Sequence, residues 1–139
     1  MALTIPENEM DLCKHLARPA FVAISLTNDL FSWEKERDAA RANRQPYVVN
    51  AIWVLMGELK ISEDEARVIC RCKIRASVAD YLEVLHHIDH GLDISRDLRI
   101  YVEAIQYSLS GNLVWSVYCP RYQPEATFDP TTLSMMDID

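Results

Sequence analysis

Between Ser62 and Gly91 the apolar residues recur at steps of three and four: Ala66, Ile69, Cys70, Ile74, Val78, Tyr81, Leu82, Leu85 and Ile88. That period matches the α-helical turn and not the two-residue repeat of a strand. The run opens on Ser62-x-x-Glu65, a capping-box pattern in which the hydroxyl and the carboxylate satisfy the first free backbone N–H groups. It closes on Gly91, the residue type that ends helices in a left-handed conformation. A second helix is expected from Ser95, with Leu98, Tyr101, Val102, Ile105 and Leu109 on one face, interrupted at Gly111-Asn112 and followed by a short helix up to Pro120. Upstream, one helix is expected from Pro6 to Ala17. Pro19, which has no N–H and clashes with the preceding turn, then restarts a longer one to Ala42. Gln45-Pro46 breaks it, and a short helix from Tyr47 to Leu59 is apolar nearly all round, hence expected to be buried. With only 3 glycines and 50% hydrophobic residues, the chain reads as all-α, an antiparallel bundle of five or six helices in one domain over 1–122. A flexible tail or linker is expected over 123–139.

Within the longer helix, Asn28, Ser32 and Glu36 stand four residues apart. Each step of four turns a helix by ~400°, so the three side chains drift only ~40° per step and form one stripe. Polar stripes are ordinarily solvated helix faces. This one follows directly on the apolar run Ala20-Phe21-Val22-Ala23-Ile24-Ser25-Leu26, as a polar rim follows a greasy cavity. Amide, hydroxyl and carboxylate oxygens are hard ligands suited to Mg²⁺, which keeps several positions for water and phosphate. Lys35 lies beside the stripe, placed to pair with a phosphate. Asp29 points ~100° away and is left out of the ligand set.

The segment Asn28-Asp29-Leu30-Phe31-Ser32-Trp33-Glu34-Lys35-Glu36 resembles the second metal motif of class I terpene cyclases, Asn/Asp-Asp-x-x-Ser-x-x-x-Glu. Near the other end, Trp115-Ser116-Val117-Tyr118-Cys119-Pro120-Arg121-Tyr122 is similar to the same family's Trp-x5-Arg-Tyr signature. The resemblance runs from about Leu3 to Tyr122 and is strongest to fungal bifunctional enzymes, in which a cyclase domain precedes a prenyltransferase domain. It implies that the chain corresponds to the C-terminal half of a class I terpenoid synthase α-domain. It also implies that Asn28, Ser32 and Glu36 bind Mg²⁺, that Lys35 and Arg121 contact the diphosphate, and that Trp115, Arg121 and Tyr122 serve catalysis. The implied activity is Mg²⁺-dependent ionisation and cyclisation of a linear isoprenyl diphosphate such as geranylgeranyl or geranylfarnesyl diphosphate. Arginine suits phosphate oxygens because it binds them bidentately, and an aromatic face stabilises a carbocation as it does an ammonium.

The family's first metal motif, an Asp-rich run, has no counterpart in these 139 residues, and neither does its upstream diphosphate-sensing arginine. The nearest acidic cluster, Glu63-Asp64-Glu65, belongs to the capping box. One wall of the site is therefore expected here, with the N-terminal half of the domain or a second copy as partner, and no turnover from these residues alone. The alternative is a truncated, inactive remnant acting as a helical interaction module. An in-frame Asp-rich motif upstream of Met1 distinguishes the two. A net charge of −7 and a pI of about 5.0 argue against nucleic acid or an anionic membrane as partner. No apolar run of ~18 residues is present, and the acidic N-terminus is unlike a signal peptide, so a cytoplasmic location is expected. Cys13, Cys70, Cys72 and Cys119 form no Cys-x-x-Cys pair and read as reduced thiols. His86, His87 and His90 suit a helix C-terminus, where imidazolium complements the dipole.

Overall fold

The structure, a computed structural model, describes residues 2–122; the segment expected as a tail or linker, 123–139, lies outside the described residues. A 3₁₀ turn, Glu7–Glu9, leads into four helices: α1 (Met10–Ala42), α2 (Ala51–Leu59), α3 (Glu63–Asp89) and α4 (Arg96–Tyr118). Among the described residues there is no strand, so the all-α expectation holds. The helices differ from the sequence expectation in four respects, three of extent and one of burial.

Helix α1 does not restart at Pro19 but runs unbroken for 33 residues with the proline inside it, a rod of about 50 Å at 1.5 Å per residue. Proline removes one hydrogen bond, to the His15 carbonyl, but the turns on either side are held by burial: Ala17 and Ala20, three residues apart, are 3% and 0% exposed. Helix α4 likewise continues through Gly111 and Asn112. The amide of Asn112 donates to the Ile24 carbonyl of α1 at 3.3 Å, so the residue that looks like a breaker is a tie between helices. Helix α2 begins four residues later than Tyr47 because Asn50, not Tyr47, caps it, with its side chain accepting from the Ile52 N–H. Nor is α2 buried all round: Ile52 and Leu55 point inward, while Trp53, Val54 and Leu59 are 41%, 47% and 50% exposed. The ends of α3 are as the sequence predicts. Ser62 and Glu65 close the capping box, and Gly91 takes a φ of +99° just beyond the last turn, a conformation that costs glycine nothing.

Helix α1 is the element shared by two cores. In the first, Cys13, Leu16, Ala17 and Ala20 meet Tyr81 and Ile88 of α3 and Leu98, Val102 and Ile105 of α4. In the second, Trp33 meets Ile52 and Leu55 of α2 and Ala66 and Cys70 of α3. These pairings make α3 antiparallel to α1, and α4 antiparallel to α3. Beside the second core, Arg67 of α3 bridges Glu34 and Glu63 at 2.9 and 3.1 Å, and Arg37 of α1 reaches Glu63 at 3.1 Å. Burial tends to raise the Glu63 carboxyl, but the hydrogen bonds it accepts, including those from Arg67 and Arg37, outweigh that and hold it below its ordinary value.

Since Pro19 lies in a helix interior, Pro19→Ala restores a backbone donor and removes a ring clash. Part of that gain is offset by the greater freedom of the unfolded chain. A net stabilisation of about 1 kcal/mol or more is expected, read as a rise of at least ~3 °C in the thermal midpoint by circular dichroism. An unchanged midpoint would show that α1 has already relaxed around the ring.

Candidate functional site

The stripe on α1 sits where three elements converge. Asn28 is half-buried, and its Nδ2 donates to the Tyr122 hydroxyl at 3.1 Å, across 94 residues of sequence. Local chemistry brings Tyr122 there. Proline at 120 cannot continue α4, and the residue before a proline is pushed to extended backbone. Cys119 accordingly has φ −70° and ψ 122°. The Tyr122 N–H then closes a turn onto the Cys119 carbonyl at 3.0 Å, with proline at the position turns favour. The guanidinium carbon of Arg121 lies 6.0 Å from the centre of the Tyr122 ring. The two sequence motifs, predicted separately, thus meet beside the middle of α1, through Asn28 and Tyr122.

Ser32 is 2% exposed, and its Oγ has no hydrogen-bond partner among the described residues. A helical serine usually satisfies its hydroxyl on a carbonyl one turn back, and a buried hydroxyl left without a partner is costly. Glu36, half-buried one turn further on, accepts from the Asn50 amide through Oε2 at 3.0 Å. Along one stripe there is therefore an amide whose Nδ2 donates to Tyr122; a hydroxyl with no partner among the described residues; and a carboxylate with one oxygen accepting from Asn50. Neutral and anionic oxygens in that arrangement fit a hard divalent cation, and the orphaned Ser32 hydroxyl is the observation that supports the fit. No group of three or more His, Cys, Asp or Glu able to hold a metal occurs among the described residues.

Asp29 has a different task. Its Oδ2 accepts from the Ala51 N–H at 2.8 Å, at the first turn of α2, where a carboxylate suits the helix dipole. Burial pushes its carboxyl above the ordinary value, the Ala51 hydrogen bond works against this, and the neighbouring Glu36 charge adds to the push.

Lys35 and Arg121 are both exposed, and neither forms an ion pair among the described residues. Lys35 and Tyr122 line a mostly polar cavity of about 350 Å³ that Arg67 and Arg71 of α3 also face. Sequence reasoning missed the two arginines. They follow Glu63 at four-residue steps, a spacing that places all three on one side of α3. An open apolar groove of about 680 Å³, with Phe21, Val22, Leu26 and Tyr101 on its walls, runs along α1 towards Asn28. Phe21, Leu113 and Trp115 are 47%, 46% and 60% exposed, so the aromatic predicted to line a cavity stands uncovered on the last turn of α4. His86, in the last turn of α3, stacks at 4.0 Å on His90, its C-cap residue, at the helix end where the dipole argument places them.

The family model described as terpene synthase family 2, C-terminal metal binding, matches residues 1–80, which include the whole stripe. Fusicoccadiene synthase of Phomopsis amygdali is 48% identical over 136 residues, 98% of this chain and 19% of its own length. A bifunctional sesterterpene synthase of Aspergillus aculeatus is 46% identical over 135 residues, 97% of this chain and 19% of its own. Ophiobolin F synthase of Aspergillus clavatus is 42% identical over 132 residues, 95% of this chain and 18% of its own. The chain spans about a fifth of the length of these curated relatives. No described helix is long and apolar enough to cross a membrane.

Proposed function

Because the chain belongs to the terpene synthase family whose C-terminal part binds metal, we propose that residues 1–122 form one metal-binding wall of a class I terpene cyclase acting on an isoprenyl diphosphate. The reading that 123–139 form a linker, and that the work is done in the cytoplasm, belongs to the same proposal. The observation that supports it is the 3.1 Å contact between Asn28 and Tyr122, which brings the Tyr122 hydroxyl to the first residue of the stripe.

In this reading Asn28, Ser32 and Glu36 hold Mg²⁺, which as a Lewis acid stabilises negative charge on a departing diphosphate. Lys35 and Arg121, which form no ion pair among the described residues, grip the diphosphate, the arginine by two parallel N–H donors. Tyr122 holds the Asn28 amide by accepting its N–H, turning the Asn28 oxygen towards the stripe. The apolar groove beside Phe21 receives hydrocarbon and excludes water, which keeps a reactive cation from being quenched. Trp115 offers its ring face to that cation. Phe21, Leu113 and Trp115 are large apolar side chains left exposed, and in this reading the remainder of a cyclase domain covers them.

The test is calorimetric, with inorganic pyrophosphate as probe. Pyrophosphate is expected to bind the chain only when Mg²⁺ is present, and Arg121→Ala is expected to weaken that binding about tenfold, the cost of one charge-assisted contact of ~1.4 kcal/mol. Binding that is indifferent to Mg²⁺ removes the metal from the reading; binding indifferent to Arg121 removes the clamp.

A further inference from the structure

Asn50 is 3% exposed, and every polar atom of its side chain is in use. Its Oδ1 accepts from the Ile52 N–H at 2.8 Å. Its Nδ2 donates to the Asp29 carbonyl at 2.8 Å and to Glu36 Oε2 at 3.0 Å. An amide has two N–H donors, and both are spent on α1. The orientation is fixed by its neighbours, because a flipped amide would set its oxygen against two acceptors and its NH₂ against a donor. Capping α2 requires only the oxygen. The two donor bonds are surplus to capping, and one of them grips a residue of the oxygen stripe.

We propose that Asn50 is a positioning residue for Glu36. Resting on the functional reading above, the assignment is that this buried amide, held by the α2 cap and the Asp29 carbonyl, fixes one oxygen of the Glu36 carboxylate. The other oxygen then faces the cation with little freedom left to lose on binding. Glutamate has three side-chain torsions, and a carboxylate that must be ordered at the moment of binding pays for it in affinity. The device spans two helices. Asp29 secures the start of α2 through Ala51, and α2 in turn presents Asn50 to Glu36, seven residues further along the helix that carries Asp29.

A merely structural cap makes a different prediction, and serine separates the two. Asn50→Ser keeps a good capping oxygen but is too short to reach Glu36. With Mn²⁺ plus inorganic pyrophosphate followed by water-proton relaxation, the folded Asn50→Ser chain is expected to bind Mn²⁺ about tenfold more weakly, the usual loss when a partner that orients a metal ligand is removed. In a Glu36→Ala background the same change is expected to alter affinity less than about twofold, since the residue it orients is gone. Equal affinity in the folded Asn50→Ser chain, or equal losses in the two backgrounds, overturns the assignment and leaves the functional reading standing. Failure of the unsubstituted chain to bind Mn²⁺ overturns both. If Asn50→Ser does not fold, the unsubstituted chain decides the matter. Its Asn50 side-chain amide resonances are expected to shift on titration with Mg²⁺ and pyrophosphate, and resonances that stay in place at saturation refute the assignment.

Discussion

Glu36→Ala, introduced into a complete cyclase that carries this segment, is expected to lower kcat by about two orders of magnitude. Of Asn28, Ser32 and Glu36 only Glu36 is an anion, so its removal takes away charge as well as a proposed ligand. A loss of ~3 kcal/mol in stabilising a developing diphosphate charge corresponds to roughly a hundredfold in rate. Asn28→Ala is expected to follow closely, because it removes a proposed ligand and at the same time releases Tyr122 from its 3.1 Å contact. Ser32→Ala should cost least, about tenfold, since it deletes a neutral donor whose hydroxyl has no other partner to abandon. Rates measured at saturating Mg²⁺ give the ordering. Near-normal turnover by Glu36→Ala would dismiss the stripe as a metal site.

The largest structural effect is expected from Trp33→Ala. Trp33 is 1% exposed and is the largest side chain of the core that joins α1, α2 and α3. Truncating a buried tryptophan costs about 3–5 kcal/mol in lost transfer energy and residual cavity, a large share of the 5–15 kcal/mol typical of a whole domain. Urea unfolding followed by circular dichroism is expected to show a midpoint lowered by more than 1 M, or no cooperative transition at all. Trp33→Phe, which keeps most of the volume, should lose less than half as much. A midpoint that hardly moves would mean that α2 is not docked through this residue, and Asn50 would then lack the footing it needs.

What could be read from the sequence divides along the range of the forces concerned. The ends of α3 were legible because Ser62, Glu65 and Gly91 act within a turn of themselves. The oxygen stripe was legible for the same reason: four-residue spacing on a helix is a local fact. Pro19 and Gly111 misled because their local penalties are outweighed by distant partners. The alanines around Pro19 pack against α3 and α4, and Asn112 reaches across to α1. The start of α2 was missed because Val48 and Val49 continue an apolar run. The cap that matters, Asn50, is recognisable only as an asparagine before a short apolar helix. Its grip on Glu36 joins positions 14 residues apart on different helices, which no periodicity reveals. The motif resemblance carried Arg121 and Tyr122 to the site. The turn at Pro120 explains how they arrive there.

The unbroken course of α1 through Pro19 has a consequence for how such a protein can vary. Groove wall and ligand row are carried on one rigid screw, so their relative phase is set by residue count alone. A single insertion between Phe21 and Asn28 would turn one against the other by about 100°, whereas the connection from Asn43 to Val49 can lengthen without that penalty. Substitution is the route by which this helix can diverge; its length is not free to drift.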